Sequence, residues 1–351
     1  MDPVAEPRPG LRDVPPYQAP QFDVPVRLNT NECPYALPEG FLDDFVAELR
    51  SVDFNRYPDR DAVRLREAIA GYAEQPKERV WPANGSNEVI QQLLLAYGGP
   101  GRRCVLFIPT YVLHAHLAWM THTDVERVDA PEPFAIGDEQ VRAAKDAAAA
   151  IAFVCSPNNP TGNVQRPEIV EELARSADAL VIVDEAYVEF GGASAAGLVA
   201  SNPNVVVVRT FSKAFALAAA RIGYCIASPE VIDDLQRVRL PYHLSAQSQA
   251  AGLAALRHRD EALAILDAIR TERDRTFEGL QRLDGVRPYP SEANFVLFRT
   301  ERPHTEVFEG LLERGVLIRD MSAAVPGCLR VSTGTPEETD RFLEALREVS
   351  V

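Results

Sequence analysis

Between residues 103 and 227 the sequence falls into short, unbroken apolar runs: RCVLFI (103–108), AIAFVC (150–155), ALVIV (179–183), NVVVVR (204–209) and IGYCIA (222–227). A strand with one wet face alternates apolar and polar residues, whereas a run without alternation must be covered on both faces. Stretches with helical spacing lie between or before these runs, at SNEVIQQLLLAY (86–97), 138–149 and 167–176. Strand and helix in alternation predict an α/β fold, a mainly parallel sheet flanked by helices.

The flanks read differently. Residues 1–27 carry seven prolines without sustained periodicity and are expected to form an extended arm. Apolar residues recur at helical spacing in 39–50 and 61–73. A long helical stretch is expected over about 229–283, broken near Pro241, followed by strands at 293–298 and 328–332 and helices at 305–314 and 336–349. That mixture fits a smaller α+β domain. The expected division is an arm at 1–27, a large domain at 45–245, and a small domain from 28–44 and 246–351.

Composition excludes several roles. A formal net charge of -15 is wrong for a nucleic-acid partner, which requires a basic face. No apolar run approaches the roughly 18 residues that span a bilayer, and the first residues lack a basic start and an apolar stretch, so a cytoplasmic protein is expected. Five scattered cysteines without CxxC spacing argue against a disulfide framework or a metal site. The chain holds three lysines, Lys77, Lys145 and Lys213, among thirty-three arginines. Arginine keeps its proton and cannot serve as a Schiff-base nucleophile, so a retained lysine draws attention.

Residues able to do chemistry follow the strands, where open parallel sheets bind ligands. SPNNPTG (156–162) follows one strand, DEAY (184–187) the next and TFSKAF (210–215) the third, with Arg221 eight residues beyond Lys213. A lone Asp-Glu or an NPTG turn has commonplace structural uses, but the ordered set across about 75 residues, always after a strand, points to pyridoxal 5'-phosphate. Lys213 supplies the amine that binds the cofactor, and Asp184 the carboxylate facing its ring nitrogen. Asn159 and Tyr187 are placed to reach the ring's 3'-oxygen, and Tyr111 to stack on its face. The helix start at NGSNE, with Ser86, Asn87 and Glu88, forms a phosphate cradle with Thr210, Ser212 and Arg221.

With these strings in view, the sequence resembles the fold-type-I pyridoxal-phosphate enzymes, and among them the histidinol-phosphate aminotransferases. LNTNECPY (28–35), RYPD (56–59), NGSNE, SPNNPTG, DEAYVEF, RTFSKAFAL, ANFVLF, LIRD (317–320) and GCLRVSTG (327–334) carry the resemblance, and LPYHLSAQSQAA (240–251) is similar to this subgroup in particular. The resemblance implies a large domain built on a seven-stranded sheet, a smaller domain, and a homodimer sharing its active sites. It implies that Tyr57 reaches the neighbouring subunit's cofactor phosphate and that Arg330 grips the substrate's α-carboxylate. Arg319 and Tyr17 are expected near the substrate's distal phosphate and side chain, and Tyr242 near its imidazole. For Tyr17, Tyr242 and His243 a packing role stands beside the contact role.

Departures from the family pattern occur at Cys33, Asn87, Ala219 and Ala220, and none removes a group the cofactor chemistry requires. The implied reaction is a ping-pong exchange of an amino group between glutamate and imidazole-acetol phosphate. Three alternatives remain open at this point: an aromatic amino acid aminotransferase, a lyase similar to threonine-phosphate decarboxylases, and a binding protein that keeps the fold without catalysis. Intact Lys213, Asp184 and Arg221 argue against the last.

Overall fold

The computed structural model describes residues 5–8, 10–14, 16, 21–176 and 178–350. Its strands in chain order are β1 (Val26–Arg27), β2 (Val80–Ala83), β3 (Arg103–Ile108), β4 (Asp124–Asp129), β5 (Ile151–Cys155), β6 (Leu180–Asp184) and β7 (Val205–Thr210). They continue with β8 (Gly223–Ile226), β9 (Val286–Pro288), β10 (Phe295–Thr300), β11 (Val316–Leu317), β12 (Arg319–Asp320) and β13 (Cys328–Ser332).

Seven of them form one sheet in the order β2-β8-β7-β6-β5-β3-β4. β3 to β7 run parallel, while β8 pairs antiparallel with both β7 and β2. The unbroken apolar runs have the cause expected of them. Val181, Val183, Val205 and Val207 enter a core on one face, and Leu180, Ile182, Val206 and Val208 a second core on the other. A four-stranded antiparallel sheet, β12-β13-β10-β9, packs its own apolar cluster against the helices His304–Glu313 and Pro336–Ser350. β1, at the end of the stretch expected to be an arm, pairs in parallel with β11 and so joins this smaller unit.

Several elements depart from the sequence expectation. β2 and β4 were not among the predicted strands, and both are edge strands of the large sheet. β4 reads DVERVD, half-exposed along its length, and β2 contains Pro82, which an edge tolerates. The helix Val112–Met120 also lacks a clean polar face and was not anticipated. The predicted stretch at 229–283 is four helices: Pro229–Val238, Ala246–Arg257, Arg259–Ala264 and Leu266–Gln281. Ser228 and Ser245 cap the first two, each accepting a backbone N–H three residues on. Among the described residues, no helix is long and apolar enough to cross a membrane.

A buried polar cluster lies just beyond β6. The Glu185 carboxylate accepts from Arg209 Nε at 3.0 Å, Ser194 Oγ at 2.8 Å and the Ala195 N–H at 2.6 Å. Glu189, close by, is poorly served: Oε1 lies 3.4 Å from the Tyr72 hydroxyl, and the buried Oε2 has no partner among the described residues. Burial pushes its carboxyl up to about 7, against the pull of Arg209. A carboxyl raised in the folded state binds its proton more tightly there than in the unfolded chain. Its contribution to stability therefore declines as pH rises from the ordinary glutamate range through about 7. Glu189→Gln is expected to raise the melting temperature at pH 8 and to change it little at pH 5. Thermal scans at both pH values check this, and a gain confined to the acid side contradicts it.

Candidate active site

The parallel strands end in loops that enclose a cavity of about 290 Å³. Asp184 ends β6, Thr210 ends β7, and Tyr111 and Asn159 follow β3 and β5. Ser86, Asn87, Tyr111, Asn159, Asp184, Tyr187, Thr210, Ser212, Lys213, Arg221, Arg319 and Arg330 all line this cavity, so most of the predicted site converges.

Lys213 is half-buried, and its Nζ donates to the Thr30 carbonyl at 2.9 Å. Burial first, then the positive charges of Arg330 and Arg221, lower its proton affinity to about 8, against the pull of Glu32. An amine so placed is neutral in a useful fraction near physiological pH, the condition for nucleophilic attack.

Asp184 is buried and held from two sides. Oδ1 accepts the Ala186 N–H at 3.1 Å, and Oδ2 lies 2.9 Å from Nε2 of His114. His114 is fully buried, and its ring stacks on Phe153 with centroids 4.7 Å apart. Sequence reasoning missed this histidine. Its signal, a lone His one turn into a helix that was not itself predicted, is weak.

The Tyr187 hydroxyl accepts from Asn31 Nδ2 at 3.0 Å and lies 3.4 Å from Asn159 Nδ2. Burial pushes its proton affinity up to about 12, with Arg330 and the Asn31 bond opposing. Asn31 too went unnoticed, although it sits in the LNTNECPY string.

The groups expected to form a phosphate cradle lie together at the start of the helix Ser86–Tyr97. Arg221 Nη1 donates to the Ala218 carbonyl at 3.1 Å and lies 3.5 Å from Ser212 Oγ, which in turn is 3.0 Å from Thr210 Oγ1. Two glycines let these groups close up. A Cβ on Gly223 would lie 2.1 Å from the Ser86 nitrogen, and one on Gly85, whose φ is +87°, would lie 2.7 Å from Arg221 Nη2. Glu88, predicted in the cradle, turns back instead and its carboxylate accepts the N–H of Asn84. As the third residue of the helix it serves its own N-terminus.

Arg319 and Arg330 are direct partners across the antiparallel pair β12–β13, and both face the cavity. Arg330 donates to Asn159 Oδ1 and, at 3.0 Å, to the Asn29 carbonyl, with its guanidinium 5.0 Å from the Phe295 ring centre. Like charges directly opposite on a sheet repel, so the pair concentrates positive charge on the cavity wall.

The remaining aromatic candidates do not line this chain's cavity or lie outside the described residues. Tyr57 is 78% exposed and stacks on Tyr242 at 4.3 Å, away from this chain's cavity. His243 is a packing residue: its ring stacks on Trp81 and Nε2 lies 3.0 Å from the Pro82 carbonyl. Tyr17 lies outside the described residues.

These groups suit pyridoxal phosphate on observations independent of any family: a half-buried amine of weakened basicity, a buried carboxylate pinned in place, and a helix start kept open by two glycines beside an arginine. Fold and site together define a pyridoxal-phosphate enzyme. The sequence matches the family described as aminotransferase class I and II over residues 24–346, and the chain belongs to that family. Within it the chain is a member of the histidinol-phosphate aminotransferase group. It is 48% identical to the histidinol-phosphate aminotransferase of Streptomyces avermitilis, over 97% of this chain and 96% of that protein. To the Paenarthrobacter aurescens enzyme of the same name it is 46% identical, over 97% and 93%. In fold it is similar to the crystal structure of histidinol-phosphate aminotransferase from Sinorhizobium meliloti in complex with pyridoxal-5'-phosphate. The TM-score is 0.85 at 23% identity, covering 93% of this chain and 91% of that one.

Two measurements check the site. Because the neutral amine is the nucleophile, the apoenzyme should capture pyridoxal phosphate faster as pH rises, levelling above about 8. Stopped-flow absorbance follows this, and a rate that falls over that range contradicts it. His114→Phe keeps a ring against Phe153 but leaves Asp184 one partner short, and turnover should fall by roughly tenfold or more while KM changes little.

Proposed function

We propose that this chain transfers an amino group between histidinol phosphate and 2-oxoglutarate, giving imidazole-acetol phosphate and glutamate, a step of histidine biosynthesis. The observation that carries the reading is the Arg319–Arg330 pair, set opposite one another on the cavity wall of a protein whose net charge is -15. Every substrate and product of this reaction carries a phosphate or a carboxylate, and paired guanidinium groups are suited to both. The full-length likeness to histidinol-phosphate aminotransferases supports the choice of substrate.

Pyridoxal phosphate, when bound, supplies an electron sink for the negative charge that develops at the substrate's Cα. Lys213 would hold the cofactor, and its Nζ, once released, would be the group that takes the proton from the substrate's Cα. The lowered basicity of that amine suits it to give the proton up again. Asp184, kept in place by His114 and the Ala186 N–H, would pair with the ring nitrogen. Asn159 and Tyr187 would hold the ring's oxygen, and Tyr111 would cover its face. Ser86, Asn87, Thr210, Ser212 and Arg221 would receive the cofactor phosphate. Arg330 binds the carboxylate of glutamate, and Arg319 the anionic end of the other substrate.

The working unit is read as a cytoplasmic homodimer in which Tyr57 reaches the partner subunit's cofactor phosphate. Its exposure and its stacking on Tyr242, off its own cavity, support that role. Absorbance of the loaded enzyme tests the reaction. Histidinol phosphate should discharge the cofactor's visible band, and 2-oxoglutarate should not be able to do so. Lys213→Ala should lower turnover more than about a hundredfold, the scale of a lost acid–base group. If phenylalanine discharges the band and histidinol phosphate does not, the aromatic reading replaces this one. Carbon dioxide release without a keto acid points to the lyase.

A further inference from the structure

We infer that Glu32 selects the imidazole: its carboxylate accepts the ring N–H of histidinol phosphate. The inference rests on the proposed function, and it names a recognition element that the arginines cannot supply. Guanidinium groups only donate, whereas an imidazole offers an N–H and, near its ordinary pKa of about 6.5, a positive charge. It therefore needs an acceptor, best a charged one.

The acceptors of the cavity are largely committed. Asp184 serves His114 and Ala186, and Asn159 Oδ1 receives Arg330. The Thr30 carbonyl receives Lys213, and Asn31 Oδ1 receives the Ser332 hydroxyl. Glu32 is the cavity's second carboxylate, and it is exposed. Its Oε2 accepts the Thr30 hydroxyl at 3.0 Å, which orients the group, and no hydrogen bond occupies Oε1 among the described residues. Glu32 lies on the same short segment as the Thr30 carbonyl that holds Lys213, so it stands next to the point where the substrate amine must arrive. Its charge is felt at the Lys213 amine, against those of Arg330 and Arg221. Tyr242, the candidate from sequence for the imidazole, is stacked on Tyr57 and does not line this cavity.

A site that hydrogen-bonds a substrate N–H discriminates against an analogue lacking it, because the acceptor is then desolvated without a partner. Glu32 thereby separates histidinol phosphate from aromatic amino acids of similar shape.

Steady-state kinetics of the holoenzyme and its Glu32→Ala variant test this with histidinol phosphate, glutamate and phenylalanine. KM for histidinol phosphate should rise about tenfold or more, the scale of a lost bond to a charged group, with the value for glutamate within about twofold and that for phenylalanine unchanged or lower. Glu32→Gln, which keeps a neutral acceptor, should fall between. Calorimetric titration with histidinol, which keeps the imidazole and lacks the phosphate, gives a readout independent of turnover and should weaken in parallel. Equal losses for histidinol phosphate and glutamate would place Glu32 in chemistry common to both and overturn the inference. So would an unchanged KM for histidinol phosphate in the alanine variant of an enzyme that accepts it. A wild-type enzyme that rejects histidinol phosphate removes the proposed function itself, and the inference with it.

Discussion

A lysine amine withdrawn from water at the ends of the parallel strands, and felt there by two guanidinium charges, is the constraint on which the site depends. Lys213 meets the repulsion of Arg330 and Arg221, and the hydrogen bond that steadies its Nζ comes from a neutral carbonyl, that of Thr30. Such a setting disfavours the charged form of lysine, and it persists because the surroundings are held against the repulsion. Arg221 takes a left-handed backbone conformation, φ 53°, at the turn into β8 and is anchored to the Ala218 carbonyl. Arg330 is fastened by Asn159 and the Asn29 carbonyl. Cation, amine and cradle are thus carried on adjoining strand ends whose pairing fixes their separation.

One segment brings the two sheets into register at the cavity. β1 pairs with β11, the Ser332 N–H donates to the Leu28 carbonyl at 2.9 Å, and the Asn31 N–H donates to Ser332 Oγ at 2.9 Å. From that anchorage Thr30 reaches Lys213 and Asn31 reaches Tyr187. Asn31 itself has φ 55°, a conformation that asparagine tolerates better than most residues. Its side chain and both backbone polar groups are bonded, which holds the strained residue in place. A shift of the smaller sheet relative to the larger would therefore be felt first at the Lys213 amine.

What the sequence disclosed follows from the same arrangement. Strands covered on both faces announce themselves as unbroken apolar runs, and the residues after them inherit a place at the cavity by topology alone. Edge strands such as β4, half wet, carry no such signature. Glu88 was misplaced because a helix start uses its third residue for its own backbone as readily as for a ligand. His114 and Asn31 were illegible for a different reason: each acts on another residue, across 70 positions to Asp184 and 156 to Tyr187, and no local spacing encodes such a contact. Tyr242 stacks on Tyr57 off this chain's cavity, a placement that depends on tertiary packing and that no local spacing encodes.

Net charge is a poor guide to what such a cavity binds. Four cationic side chains, Lys213, Arg221, Arg319 and Arg330, line it in a chain of formal charge -15. At contact distances the local cluster outweighs distant carboxylates, whose effect salt screens beyond roughly 8 Å. Arg319 and Arg330 repel one another across β12 and β13, and an anion bound between them turns that repulsion into two attractions. A carboxylate and a phosphate can each do this. On the proposed function the arginine pair would take chemically different anions and, for the same reason, would not choose between them. Selection has to come from the part of a substrate that is not anionic, and hence from a group in the cavity that is not a cation. Asp184 is held by His114 and the Ala186 N–H, which leaves Glu32, the other carboxylate lining the cavity, as the group proposed to make that choice.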